Sequence, residues 1–97
     1  MRFTDWLLEL GQLVVMEPRK GAGRFALQRA IDHGFHDLKV HRIYLEIVES
    51  NEASRRLCES VGFRAEGVFR DGYHSAVSGY QNLVPYGLLA SDLESNV

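Results

Sequence analysis

The densest chemistry in the sequence is a short basic turn, Arg19-Lys20-Gly21-Ala22-Gly23-Arg24. It follows the apolar run Leu13-Val14-Val15-Met16 and Pro18, and it opens onto a helical pattern. A strand, a glycine turn and a helix together form the setting in which backbone N–H groups at a helix start can hold an anion. Gly21 and Gly23 remove side chains that would block close approach. Arg19, Lys20 and Arg24 set three positive charges around the same turn. Phosphate or pyrophosphate suits that arrangement. The P-loop pattern G-x-x-x-x-G-K-[ST] is absent. The dinucleotide pattern G-x-G-x-x-A is met by Gly21-Ala22-Gly23-Arg24-Phe25-Ala26, with Glu46 or Glu49 as an acidic ribose partner, although Phe25 is bulky inside it. The same residues also read as a plain glycine turn that only starts a helix on a sheet.

The other reactive side chains are sparse. Cys58 is the one cysteine, so no intramolecular disulfide and no C-x-x-C motif is possible. That usage fits a reducing cytoplasm. His33 and His36 are three residues apart with no carboxylate cluster around them, which reads as a solvated helix face and no metal site.

These groups need a scaffold, and the apolar pattern supplies one. Leu8 to Met16 reads as a strand buried on both faces, and Pro18 stops it. Arg24 to Leu38 reads as a helix, because Leu27, Ala30, Ile31, Gly34, Phe35 and Leu38 make one apolar stripe. Gly34 within it lets the helix lie close to a sheet. His41 to Glu49 alternates as a second strand. Asn51 is a good N-cap for a short helix over Glu52 to Val61, with Ala53, Leu57, Cys58 and Val61 inward and Gly62 ending it. Arg55 and Arg56 fall on its exposed face. Phe63 to Phe69 is a third strand, Arg70 to Gly79 a polar loop, and Tyr80 to Leu89 a fourth strand. Pro85 suggests that this last strand is an edge or bulged. Residues 1 to 7 are ambiguous, with exposed aromatics at Phe3 and Trp6. The tail after Ala90 reads as frayed. The order strand-helix-strand-helix-strand-strand describes an α/β fold with a mixed sheet, its first unit a right-handed parallel crossover.

Composition narrows the function. The chain has 97 residues, 45% of them hydrophobic and 25% charged, which is a single small globular domain over 1–97. Eleven Lys and Arg against thirteen Asp and Glu give a net charge of −2, so a generic charge-driven binder of nucleic acid or membrane is excluded. No run approaches a membrane span, and the start lacks a signal-peptide core.

The residues then add up to a resemblance. Leu13 to Arg24 resembles the central strand and acetyl-CoA loop of the GNAT N-acetyltransferase superfamily. His41-Arg42-Ile43-Tyr44-Leu45-Glu46, then Asn51-Glu52-Ala53-Ser54-Arg55-Arg56-Leu57 and Val61-Gly62-Phe63, resemble its next strand and helix. Phe63 to Asp71 and the Tyr80 to Leu89 strand look like the branch that contains ribosomal-protein N-terminal acetyltransferases. Pro18 stands where that turn usually carries Gln or Arg. The match covers most of residues 8 to 89. The family domain is around half as long again or more, so the chain is expected to be the cofactor-binding part, lacking the usual N-terminal strands and helices. With that part missing, the Leu8 to Met16 strand would be a sticky edge, and completion by a homodimer is the expected remedy.

The resemblance implies acetyl transfer from acetyl-CoA to a primary amine. It implies that amides near Val14, Val15 and Met16 bind pantetheine and polarise the thioester carbonyl. It implies that Lys20, Gly21, Ala22, Gly23 and Arg24 hold the pyrophosphate, and that Arg56 reaches the adenosine phosphate. Asn51 would bond CoA amides as well as cap its helix. Glu9 is the expected general base, because it lies on the strand that carries the thioester. Ser54 would donate to the leaving sulfur, and Cys58 stands where many relatives carry a tyrosine acid. A non-catalytic CoA-binding or structural fragment is the alternative, and a dinucleotide-binding module the next.

Overall fold

A computed structural model describes residues 2–12 and 21–94. The second strand of the pattern explains the whole sheet. β3 (Arg42–Val48) has Ile43, Leu45 and Ile47 buried on one face and Arg42, Tyr44 and Glu46 half-buried on the other. Such alternation makes a strand with one core face. On one side it pairs in parallel with β2 (Leu7–Gln12), and on the other antiparallel with the long β6 (Gly79–Leu89). A two-residue β1 (Arg2–Phe3) pairs antiparallel with β2. The far side of β6 is shared by β4 (Arg64–Ala65) and β5 (Phe69–Ser75).

The β2-to-β3 crossover holds α1 (Ala22–Asp32), which a π-helical turn over His33–Asp37 extends. The helix therefore starts two residues before the expected Arg24, and its last turn is not α-helical. Gly34 lies in that turn. A Cβ there would stand 2.8 Å from Ile43 Cδ1 and 3.0 Å from Leu8 Cδ2, so the close approach to the sheet expected of this glycine is real. α2 (Glu52–Ser60) follows β3. Leu27 and Ile31 of α1 and Cys58 of α2 join Leu8, Ile43, Leu45, Ile47, Val84, Tyr86 and Leu88 in one core, so both helices pack on the same sheet face. The opposite face carries Glu9, Arg42, Tyr44 and Glu46.

Five expectations are corrected. Ala53 is exposed, and Ser54 takes the inward place on α2, because the helix phase set by buried Cys58 puts residue 54 one turn before it. The third strand shrinks to Arg64–Ala65, and the expected Arg70–Gly79 loop is mostly β5, hairpinned to β6. Its polar residues hid a strand with little buried surface. β6 is not an edge. Pro85 stands opposite Glu46, and its carbonyl accepts from the Glu66 amide at 2.9 Å on the far side. The missing N–H faces that same side, where the pairing with β4 ends, so the ladder to β3 is intact and only the reciprocal bond to Glu66 is forgone. The tail is helical as far as Glu94 in α3 (Ala90–Glu94), where Asp92 Oδ2 accepts from the Leu89 amide at 2.9 Å. The second half of the expected Leu8 to Met16 strand lies outside the described residues.

Candidate functional site

The start of α1 has the geometry of an anion site. Gly21 precedes the helix with φ at +81°, a left-handed conformation that glycine adopts without a steric penalty. Its carbonyl accepts the Phe25 amide at 2.8 Å, closing the first turn. No side chain caps this end. The amides of residues 22 to 24 open the helix, where the intrahelical hydrogen-bond pattern supplies them no acceptor. Among the described residues, nothing lies within 4 Å of a Cβ placed on Gly21. Arg24 turns toward the end of α2, where its Nη1 donates to Ser60 Oγ at 3.0 Å. Phe25 is exposed, with the Arg29 guanidinium 5.8 Å from its ring centroid. Val14, Val15, Met16, Pro18, Arg19 and Lys20 lie outside the described residues.

Toward its end, β2 departs from β3. Glu9 pairs with Tyr44, yet the next pair is Gln12 with Glu46, so β2 carries one extra residue. Gly11, with φ at +84°, sits within that bulge. A bulge leaves backbone groups without ladder partners and re-aims the strand. Glu9 lies on the face opposite α1 and α2, 3.5 Å from Arg2 Nη1 of β1. Its parallel neighbour Tyr44 donates from its hydroxyl to Glu46 Oε2 at 2.7 Å. Desolvation, then the Glu46 hydrogen bond and the charges of Glu46 and Glu9, hold the Tyr44 phenol well above its ordinary range. Arg42 lies 5.5 Å from the Tyr44 ring and pairs with Glu66 through both carboxylate oxygens.

α2 supplies the third wall. Asn51 caps it, its Oδ1 accepting from the Ser54 amide at 3.1 Å. Ser54 and Cys58 are fully buried one turn apart on the sheet side. Burial pushes the Cys58 thiol up to about 12. A coenzyme thiol resembles a free cysteine, with a pKa near ~8.5. Proton transfer from Cys58 to such a thiolate is therefore uphill, which argues against the acid role expected of Cys58. Arg56 is exposed and pairs with Glu52 at 3.3 Å.

Arg55 corrects the expected exposed face. Its Nε donates to Tyr86 Oη at 3.1 Å and its Nη1 to the Glu49 carbonyl at 3.2 Å. The Tyr86 hydroxyl donates to Glu59 Oε2 at 2.5 Å, inside a fully buried residue. Glu49, Glu59, Asn82 and Tyr86 were not legible as a group in the sequence, because 37 positions separate the first from the last. The one available signal was a tyrosine amid the apolar end of β6, which needs a hydroxyl partner once buried.

The structure places Gly21, Gly23 and Arg24 at the start of α1, Asn51 at the start of α2 and Arg56 on the exposed middle of α2, with Glu9 across the sheet from the core. Comparisons with known proteins agree on the frame. The acetyltransferase (GNAT) domain matches residues 2–64. A putative ribosomal N-acetyltransferase, YdaF of Bacillus subtilis (strain 168), is 34% identical over 88 residues, 89% of this chain and 47% of that protein. A spermidine N(1)-acetyltransferase of Vibrio cholerae is 34% identical over 58 residues, 58% of this chain and 34% of that protein. Among solved structures, a GNAT-family acetyltransferase from Bacillus anthracis superposes with a TM-score of 0.76 at 27% identity, covering 92% of this chain and 54% of that one. The chain spans about half, or less, of the length of these curated relatives.

Proposed function

Since the chain belongs to the GNAT acetyltransferase family, we propose that it binds acetyl-CoA at the α1 start and serves acetyl transfer to a primary amine. The observation that carries this reading is the α1 start, which left-handed Gly21 precedes and no described side chain caps, in a chain whose β2 bulges away from β3 at Glu9–Gln12. The amides of Gly21, Ala22 and Gly23, with Lys20 and Arg24, hold the pyrophosphate. The backbone of β2, with Val14, Val15 and Met16, binds pantetheine and polarises the thioester carbonyl. Asn51 and Arg56 contact the CoA amides and the adenosine phosphate.

The chemistry balances without another reagent. The neutral amine attacks the carbonyl carbon, an N–C bond forms and the C–S bond breaks. The amine proton passes to Glu9, directly or through water. The leaving thiolate takes up a proton, with Ser54 as the proposed donor. Ser54 is closed off in this packing, so its role requires the helix to open toward the ligand. Glu9 and Glu46 beside Tyr44 offer a cationic amine carboxylate partners on a face that also carries Arg2 and Arg42. Homodimerisation, a cytoplasmic setting and a single domain over 1–97 belong to the same proposal. No described helix is long and apolar enough to cross a membrane.

Isothermal titration with acetyl-CoA tests the site. Gly23→Glu sets a side chain and a charge where the backbone meets phosphate, and it should abolish binding. Unchanged affinity in that variant refutes the assignment. Competition by NAD at the same site would favour a dinucleotide module. Binding without turnover on any amine would favour the non-catalytic reading, to which the buried Ser54 and Cys58 lend weight.

A further inference from the structure

The end of β3 is tied to β5 by a single side chain. Between the pairs Phe69–Leu83 and Tyr73–Gln81, β5 advances four residues and β6 only two, so β5 carries a wide bulge. Asp71 lies in it with φ at +51°, an unusual conformation for a non-glycine residue. Gly72 is required beside it, since a Cβ would meet Phe69 Cβ at 2.8 Å and the Phe69 carbonyl at 3.1 Å. What fixes this backbone is Asn82. Its Oδ1 accepts from the Asp71 amide at 3.0 Å, and its Nδ2 donates to Glu49 Oε1 at 3.2 Å. The Asn82 carbonyl also accepts from the Glu49 amide at 2.9 Å. Glu49 in turn accepts through its own carbonyl from Arg55 of α2. Two residues further on, Asn51 caps that helix. One run of hydrogen bonds thus joins Asp71, Asn82, Glu49 and Arg55 across three elements.

We infer that Asn82 is a positioning residue, holding the β5 bulge and the end of β3 as one unit and so setting the α2 N-terminus that presents Asn51. Its functional sense rests on the acetyl-CoA reading above. The geometry explains why asparagine stands here. A carboxamide carries an acceptor oxygen and a donor nitrogen on one planar group, and the two neighbours need one of each. Aspartate would keep the acceptor for Asp71 but face the Glu49 carboxylate with like charge.

Amide hydrogen exchange on the full chain tests this without any ligand. Asn82→Asp replaces the Glu49 arm by a like-charge contact and keeps the Asp71 arm, and Glu49→Ala removes the Glu49 arm from the other end. Each should raise Ser54 amide exchange about fivefold, the equivalent of one hydrogen bond's net contribution. The double variant should exchange no faster than Glu49→Ala alone, because removing Glu49 also removes the repulsion. Asp71 should stay protected in Asn82→Asp and lose protection in Asn82→Ala. Leu45, in the core of β3, should not change. Unaltered Ser54 exchange in Glu49→Ala overturns the inference, and so does a parallel rise at Leu45, which marks a general loss of stability. If Asn82→Asp does not fold, Glu49→Ala decides alone. Acetyl-CoA titration completes the test. Weaker binding in both variants is expected, whereas unchanged affinity with raised Ser54 exchange overturns the functional sense. A wild-type chain that ignores acetyl-CoA refutes the proposed function and leaves the exchange result to decide the coupling.

Discussion

Tyr86→Phe removes one oxygen atom and nothing else. That oxygen donates to the Glu59 carboxylate and accepts from the Arg55 guanidinium, inside a residue with 0% exposure. Hydrogen bonds to charged groups contribute about 1.5–3 kcal/mol each. Here the loss is smaller than two such bonds, because Glu59 is exposed and Arg55 keeps its bond to the Glu49 carbonyl. The ring stays, so no cavity term is added. The expected cost is about 2 kcal/mol. With a urea slope of about 1–3 kcal/mol per molar, the midpoint should fall by roughly 1 M with the slope unchanged. The pH dependence adds a second check. Desolvation and the Glu59 bond raise the Tyr86 phenol above its ordinary value. A raised value means that the hydroxyl's contribution is whole below about 10, the value in the unfolded chain, and is lost as pH rises through the folded value. The gap between wild type and variant should be flat up to about pH 9 and narrow above 10. A midpoint within error of wild type, or a gap that widens with alkali, refutes the reasoning.

The other outcomes follow from the same contacts. Gly34→Val should lower stability by about 2 kcal/mol in thermal unfolding, since its Cβ meets fully buried Ile43 and Leu8. Asn51→Ala should cost about 1 kcal/mol and fray the first turn of α2, seen as faster exchange of the Ser54 amide. Arg42 holds the Glu66 carboxyl below its ordinary value, so the pair contributes above about pH 4.5 and is lost as pH falls through the folded value. Acid unfolding of Glu66→Gln should therefore run closer to wild type at pH 3 than at pH 6, within the ~1 kcal/mol that a half-exposed pair supplies. Cys58→Ala should lower stability while leaving the pH–rate profile of any acetyl transfer unchanged, because the thiol stays protonated to about 12.

The sequence by itself determined what depends on near neighbours. Alternation over Ile43 to Ile47 is a period-two signal, and it made β3. The stripe from Leu27 to Leu38 made α1, and Asn51 with the Ser54 amide made a cap within three residues. The family resemblance is local too, carried by runs such as Asn51 to Leu57. Tertiary structure alone decided what depends on distant pairing. β5 is a strand because β6 offers it a ladder, although its own residues look like a loop. Pro85 is tolerated in a central strand because the partner changes opposite it. Arg55 left the exposed face because Tyr86, 31 positions away, needed a partner. Such choices arise from burial and hydrogen bonding between elements, which no short window of sequence contains.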